Sequence, residues 1–446
     1  MNFHLSIVRL LAFAALLLLA VPFATAQPPR GPAVEDVLEA MKPYEGTSVT
    51  ENKVDNTTMI GKVMCGYQGW FTTDGNDGAR QRWIHYAIQG KFEPGYSAVE
   101  MWPDTSEMAD DEKFATPFKH EDGSTAYVFS SLVYKTVRRH FQWMQDSGIH
   151  GVFLQRFSTS IRNPEQYRIR NLLVSHARQA ANESGRVWAL MYDLSGLPEN
   201  GTKSMIIEDF KRLSDRMKIG KDPNDKAYMQ HRGKPLIAVW GIGFNDNRRY
   251  TLAECLELIT FLKDDPEYGG FSVMIGVPTY WREMGSDSLK DPILHEIIKK
   301  ADIVSPWAVG RFANPKAVAD YTANIAKKDL EWCEKEGVDY LPVVYPGFSW
   351  QNLMKGRGQT SPLDQIPRLK GEFLETQYIG HIAYGAKMIY QAMFDEIDEG
   401  TAIFKVSNNP PVGESRFLGY EGLPSDFYLK MVGKYAQELQ EKYPKK

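Results

Sequence analysis

Apolar residues along the chain gather into eight runs, at positions 63–71, 150–157, 186–194, 234–241, 271–281, 302–309, 340–348 and 387–394. These runs are rich in β-branched and aromatic side chains and alternate little with polar ones. A strand of that kind is buried on both faces, as in a parallel sheet covered by helices. Between the runs, segments 132–145, 165–181, 204–217, 252–262, 288–300, 316–334 and 369–384 carry apolar residues at helical period, and 426–443 closes the chain in the same way. This alternation predicts an α/β fold of the (β/α)8 TIM-barrel class, a single domain over residues 58–446. A doubly wound open sheet is the alternative. Its usual Gly-rich phosphate turn is missing, because the first run passes into Tyr67-Gln68-Gly69-Trp70.

The first connection departs from the pattern. About sixty residues, 72–131, separate the first strand from its helix, and they are rich in Gly, Pro and aromatics. In a barrel, such an insertion leaves from the C-terminal face, where active sites are built. Connections of this length are usually functional or disordered. Trp83, His85, Tyr86, Tyr96 and Trp102 predict an ordered loop over a site.

The N-terminus reads as an address. Arg9 precedes the apolar stretch 10–21, and Ala24-Thr25-Ala26 supplies small residues for cleavage after Ala26. Residues 1–26 are therefore expected to be a signal peptide and 27–57 an extended arm onto the barrel. The stretch is short for a membrane span, and the rest of the sequence supplies no longer one. An exported protein, periplasmic or extracellular, with no membrane span in the mature chain is the expectation.

Composition narrows the function classes. The chain is 43% hydrophobic and 24% charged, with a net charge of −4 and its Lys and Arg scattered among acids. That balance argues against nucleic acid as a partner. Walker A, His-Glu-x-x-His and Gly-x-Ser-x-Gly motifs are all missing, so phosphoryl transfer, zinc proteolysis and serine hydrolysis lose their usual markers. Cys65, Cys255 and Cys333 suit buried packing better than a disulfide framework. The histidines lack metal-ligand spacing, so neither a metal nor a cofactor is expected. A calcium ion held by Asp395, Asp398 and nearby carbonyls stays open as an alternative.

The candidate chemistry lies at the strand ends. The last apolar run enters Asp395-Glu396-Ile397-Asp398-Glu399-Gly400, four carboxyl groups within five positions. Like charges this close push at least one pKa upward. Two carboxyl groups with separated pKa values are what acid/base chemistry at a glycosidic bond requires. The other strand ends offer Tyr67 and Trp70, Arg156, Tyr192 and Asp193, Trp240, Tyr280 and Trp281, Trp307, and Tyr345. Together with Asp395, these are the expected substrate-binding residues. An aromatic-lined, acid-bearing cleft suits a sugar, whose C–H faces stack on rings while polar groups take its hydroxyls.

Phe394-Asp395-Glu396-Ile397-Asp398-Glu399-Gly400-Thr401-Ala402-Ile403 resembles the Phe-Asn-Glu-Trp-x-Glu-Gly-Thr-x-Ile signature of glycoside hydrolase family 99. That family comprises endo-α-mannosidases and endo-α-mannanases and is related to the family 71 α-1,3-glucanases. Tyr345-Pro346-Gly347-Phe348 is similar to the family's Pro-Gly-aromatic turn after the seventh strand. The resemblance implies Glu396 as a base acting on the substrate's own 2-hydroxyl, and Glu399 as acid/base. The reaction would retain configuration through a 1,2-anhydro sugar. Departures are Asp395 for Asn, Ile397 for Trp, Ala402 for Gln and Phe404 for Glu. They point to retained chemistry on a different sugar or linkage, and the extra carboxyl of Asp395 is expected to raise Glu396 further. The alternatives are a non-catalytic carbohydrate-binding barrel, or a family 71-like α-glucanase, xylosidase or arabinosidase.

Overall fold

The computed structural model describes residues 41–74, 77–79 and 83–444. The expected signal peptide, its cleavage after Ala26 and the first part of the arm lie outside the described residues. The core is a parallel sheet built from β1 (Lys62–Tyr67), β4 (Gly151–Phe157), β5 (Val187–Asp193), β7 (Lys234–Trp240), β8 (Ser272–Val277), β9 (Ile303–Pro306), β10 (Asp339–Tyr340), β11 (Val343–Val344) and β12 (Met388–Gln391). A hairpin of β2 (Phe114–Lys119) and β3 (Thr125–Val128) stands apart, and β6 (Gln230–His231) is a short antiparallel addition to β7. Strands β1, β5 and β8 are buried at every position, as their unbroken apolar sequences require.

Sheet order is β10-β9-β8-β7-β5-β4-β1-β12-β11. The two ends of that order are consecutive in the chain, separated only by Leu341-Pro342. β10 pairs with β9, and Leu341 N–H still donates to Val304 O at 2.9 Å. Pro342 has no N–H to give, but its carbonyl accepts from Tyr390 N at 2.9 Å, and β11 then pairs with β12. The seventh apolar run is thus one interrupted strand that changes partner at its proline. This curled parallel sheet is compatible with a (β/α)8 barrel.

Several elements are shorter than the sequence pattern suggests, because residues past a strand end turn into the loops that carry the site. The first run stops at Tyr67, the fifth at Val277, the sixth at Pro306 and the eighth at Gln391. Segment 316–334 divides into helices Pro315–Tyr321 and Lys327–Glu336 around a π turn, Thr322–Ala326. Between β1 and helix Tyr134–Ser147, the chain forms the β2–β3 hairpin and meets the turn that follows β12. There Glu100 N and Met101 N donate to Ile397 O at 2.8 and 3.2 Å. The Glu100 carboxylate accepts from Ser349 Oγ at 2.6 Å and Asn352 N at 2.5 Å, which caps helix Gln351–Gly356.

Side-chain parity decides which strand-end residues face the inside of the curl. In β4, Phe153 stacks on Tyr390 at 5.5 Å, and Gln155 Nε2 donates to the Tyr390 hydroxyl at 3.1 Å. Arg156 therefore points the other way. Its Nε and Nη2 both bond Asp209 at 2.7 Å, on helix Glu208–Met217, and Nη2 also reaches Asn171 Oδ1 at 3.0 Å. Tyr192, paired in register with Arg156, donates its hydroxyl to Asp209 Oδ2 at 2.6 Å. Arg156 and Tyr192, expected at the binding face, instead lock strands to a helix.

Arg156→Met should lower stability by about 3–5 kcal/mol, because Asp209 stays buried after losing its counter-charge. Denaturant unfolding measures the effect, and an unchanged midpoint would show that the pair does not hold helix to sheet.

Candidate active site

Beyond Gln391 the chain turns across the C-terminal end of β1, and Asp395 fixes that turn. It is fully buried, accepting from Gln68 N on Oδ1 and from Gly69 N on Oδ2, each at 2.8 Å. Glu396, 5% exposed, accepts from Gln68 Nε2 at 2.7 Å and from Thr401 Oγ1 at 2.6 Å. Its carbonyl also receives Thr401 N and Ala402 N at 3.2 and 3.1 Å, so the segment folds back on itself. Gly400 makes this fold-back feasible at φ +67°, where a Cβ would come within 3.1 Å of Ser349 N. Arg368 Nη2 donates to the carbonyls of Gly400 and Ala402 at 2.8 and 2.6 Å and closes the turn from below.

Asp398 Oδ2 meets His85 Nδ1 at 2.9 Å, and the His85 ring lies flat on Trp70 at 3.7 Å with 5° between planes. Asp398 Oδ1 and Trp70 Nε1 are both buried without a hydrogen bond of ordinary geometry. Even so, the indole N–H acts on the Asp398 carboxyl and pulls its pKa down. Glu399 is partly exposed, and its carbonyl accepts from Ser349 N at 3.0 Å. The turn thus gives Glu396 a fixed side chain and leaves Glu399 the most accessible of the four acids.

All four carboxyl groups hold protons more tightly than usual, with burial the first cause in each. Asp395 is pushed up to about 7 against the pull of its two backbone N–H donors. Asp398 rises to about 8, and Glu399 to about 7, where the Asp398 charge adds to burial while Trp350 and Arg357 oppose. Glu396 is raised well above its ordinary value by burial and by the charges of Glu399 and Asp398, while Thr401 and Gln68 pull it down. The extra pressure on Glu396 comes from Asp398 and Glu399, not from Asp395 as the sequence suggested. Across neutral pH the cluster shares protons among its members.

The aromatic wall runs away from this cluster along the strand ends. Trp307 stands edge-on to Tyr390 at 6.4 Å and to Trp240 at 5.3 Å. Asp193 points to the same side and accepts from Ser195 N at 2.7 Å; burial raises its pKa. Of the residues read from the sequence, the structure brings Trp70, Asp193, Trp240, Trp307, Asp395, Glu396 and Glu399 to this end of the sheet. Tyr280, half-buried in the turn after β8, has its backbone N–H on Asp287 Oδ1 at 3.1 Å.

Three more expected binding residues stand elsewhere. Tyr67 is fully buried between Phe141 and Phe394, its hydroxyl 2.8 Å from His140 Nδ1. Trp281 packs edge-on against Trp332 at 4.9 Å, away from the cleft. Tyr345 donates its hydroxyl to Phe312 O and packs on Phe373. Each is large enough to fill a gap behind a loop, and that packing role outweighed binding. The site residues expected from the sequence leave out Gln68, His85, Gln155, Tyr390 and Thr401, although Gln155 stands beside Arg156 at its strand end and His85 lies in the loop expected over the site. Gln68 and Thr401 carried a faint signal as polar residues flanking the two ends that the turn joins. Among the described residues, no group of three His, Cys, Asp or Glu is placed to hold a metal ion. The three cysteines are buried and unbridged.

No protein-family model and no curated protein matches this chain. Solved structures do. A GH99 endo-alpha-mannosidase from Bacteroides thetaiotaomicron superposes with a TM-score of 0.59 at 16% identity, covering 86% of this chain and 99% of that one. A GH99 endo-alpha-mannosidase structure in complex with bis-tris-propane gives 0.58 at 17% identity, with the same coverage. A glycoside hydrolase-like protein gives 0.50 at 12%, covering 89% of this chain and 98% of its own. At these identities the similarity is one of fold: the chain folds like a GH99 glycoside hydrolase.

Proposed function

We propose that this protein is a glycoside hydrolase that cleaves an α-linked glycan in the manner of an endo-α-mannosidase, with Glu396 and Glu399 as its catalytic pair. The carrying observation is the turn after β12. It holds two glutamates with raised pKa values beside an aromatic wall, one clamped and one accessible. The fold likeness to GH99 enzymes and the retained Glu-x-x-Glu-Gly-Thr pattern support the reading. The reading includes a complete (β/α)8 barrel with its catalytic end at the C-termini of the strands, and an exported chain. Among the described residues no helix is long and apolar enough to cross a membrane.

The chemistry follows from the two environments. Glu396 receives fixed hydrogen bonds on both oxygens, which orient it and oppose the upward push of burial and its acidic neighbours. It acts in the state of the shared-proton cluster that leaves Glu396 a carboxylate while Glu399 holds the proton. Glu396 takes the proton of the sugar's 2-hydroxyl as O2 attacks C1. Glu399 gives its proton to the departing glycosidic oxygen, and the C1–O bond breaks to leave a 1,2-anhydro sugar. Glu399, now a carboxylate, deprotonates a water that opens the epoxide at C1, and O2 recovers its proton from Glu396. Two inversions at C1 give net retention. Trp70, Trp240 and Trp307 would hold sugar rings by stacking, and Gln155 and Asp193 would take hydroxyls. Asp398, held by His85, sits between the two glutamates in sequence and raises both. We assign it the role of keeping the proton on Glu399.

Glu399→Gln should reduce turnover of α-linked oligosaccharides about 10²–10⁴-fold while calorimetry still detects glycan binding. A wild-type protein that binds but cleaves nothing across α-mannan, α-glucan, α-xyloside and α-arabinoside substrates would replace this reading with a binding barrel. NMR of the first-formed product anomer checks the route, and inversion at C1 would exclude the epoxide.

The pH dependence has a definite sign. Glu399 must begin protonated, and its pKa is raised to about 7. The kcat/KM profile should therefore fall as pH rises through about 7. Asp398→Asn removes a neighbouring negative charge and should move that limb to lower pH. A limb in the same place would remove Asp398 from the proton balance.

A further inference from the structure

Beyond the aromatic wall, the loops that follow β4, β5 and β7 enclose a cavity of about 470 Å³ on the catalytic side of the sheet. That is room for a bound group of ligand size. Its lining is unlike the acidic centre. Arg162, Arg248 and Arg249 face it, with Asp246 as the only carboxylate among the lining residues. Arg248 is committed: it pairs with Asp246 at 2.8 Å, and its guanidinium lies 5.2 Å from the Trp240 ring and 4.6 Å from Phe244. Arg162 and Arg249 are exposed, and neither has an ion-pair partner among the described residues. Arg162 Nη2 is tethered to Gly196 O at 3.0 Å, which holds its guanidinium at the cavity's edge. The lining therefore carries an excess of two positive charges, in a chain whose net charge is −4.

Side-chain contacts lead from the cavity's lining to the site. Arg248 covers Trp240, Trp240 meets Trp307, and Trp307 meets Tyr390, which feels the Glu396 charge. A glycan laid along that wall would run from the acidic cluster toward the arginine cavity. Resting on the glycosidase reading, we infer that this cavity is a subsite for an acidic sugar, one bearing a carboxylate or a sulfate ester, displaced from the scissile bond. Guanidinium forks suit both anions. At the point of cleavage the Glu396 carboxylate of the proposed mechanism repels an anion, so only a sugar further along the chain can carry the charge. Specificity then comes as a pair of opposite fields along one polymer, repulsion at the cut and attraction beyond it.

The test uses the full chain carrying Glu399→Gln, titrated calorimetrically with two probe pairs. One is an α-linked oligogalacturonate and its carboxyl-reduced form. The other is a sulfated α-manno-oligosaccharide and its desulfated form. At low salt at least one charged probe should bind about tenfold more tightly than its neutral partner. That preference should shrink with added salt and vanish in the further variant Arg162→Ala/Arg249→Ala, with neutral affinity unchanged. Which pair responds identifies carboxylate or sulfate. Equal binding of charged and neutral forms in both pairs, or a preference that survives loss of both arginines, overturns the subsite. Cleavage by the wild-type protein is scored separately. An acid preference without turnover of any glycan overturns the glycosidase reading and keeps the subsite. Turnover of neutral glycans without an acid preference does the reverse.

Discussion

Four carboxyl groups folded into one buried turn are the constraint around which the rest of this structure is arranged. Such a turn repels itself, and burial adds the cost of stripping each acid of water. It persists because its backbone is tied from every side. Gln68 and Gly69 donate to Asp395, Glu100 and Met101 to the Ile397 carbonyl, and Arg368 to those of Gly400 and Ala402. These partners come from the end of β1, from the segment that follows it, and from the loop before helix Glu372–Ala383. Glu100, Met101 and His85, from the segment between β1 and helix Tyr134–Ser147, tie down a turn whose acids repel one another.

That arrangement couples the site to stability through protons. Each of these acids has a folded pKa above its ordinary value. The folded chain thus binds protons more tightly than the unfolded one, and the cluster's contribution to stability declines as pH rises from the ordinary carboxyl range through about 8. Away from the site, buried pairs fasten the sheet to its helices, above all Arg156 with Asp209, both nearly inaccessible. Segregation by strand parity makes this workable. Inward positions of β4 and β5 carry Gln155 and Asp193, and outward ones carry the arginine and tyrosine that fasten a helix.

Parity also marks the limit of what was legible in the sequence. The parallel sheet was readable because strands buried on both faces leave unbroken apolar runs. The acidic turn was readable because four carboxyl groups after such a run are rare. Which of two adjacent residues faces inward was not readable, since a strand covered on both faces shows no alternation, and so the sequence does not rank Arg156 against Gln155. Tyr67, Trp281 and Tyr345 failed differently. A large aromatic at a strand end can wall a cleft or fill the space behind it, and only the neighbours distinguish the two. The proline that splits β10 from β11 was visible, but its consequence, a strand that pairs on opposite sides before and after it, depends on where the sheet's two edges meet.

The departures from the GH99 signature separate on the same grounds. At Asp395 the two backbone donors approach different oxygens. A carboxylate accepts on both, whereas an amide would turn an N–H2 group toward one of them. Asp395 is thus matched to the shape of its own turn, and its identity says little about the sugar. Asp398 is different. Its Oδ2 is held by His85, which comes from the first connection and stacks on Trp70, while Oδ1 faces no full hydrogen bond. Asp398 is buried, so it acts on the site through its charge on Glu396 and Glu399 rather than by touching a ligand. Of the two aspartates, Asp395 therefore shapes the turn, and Asp398, at the signature's variable position, sets the proton balance of the glutamates beside it.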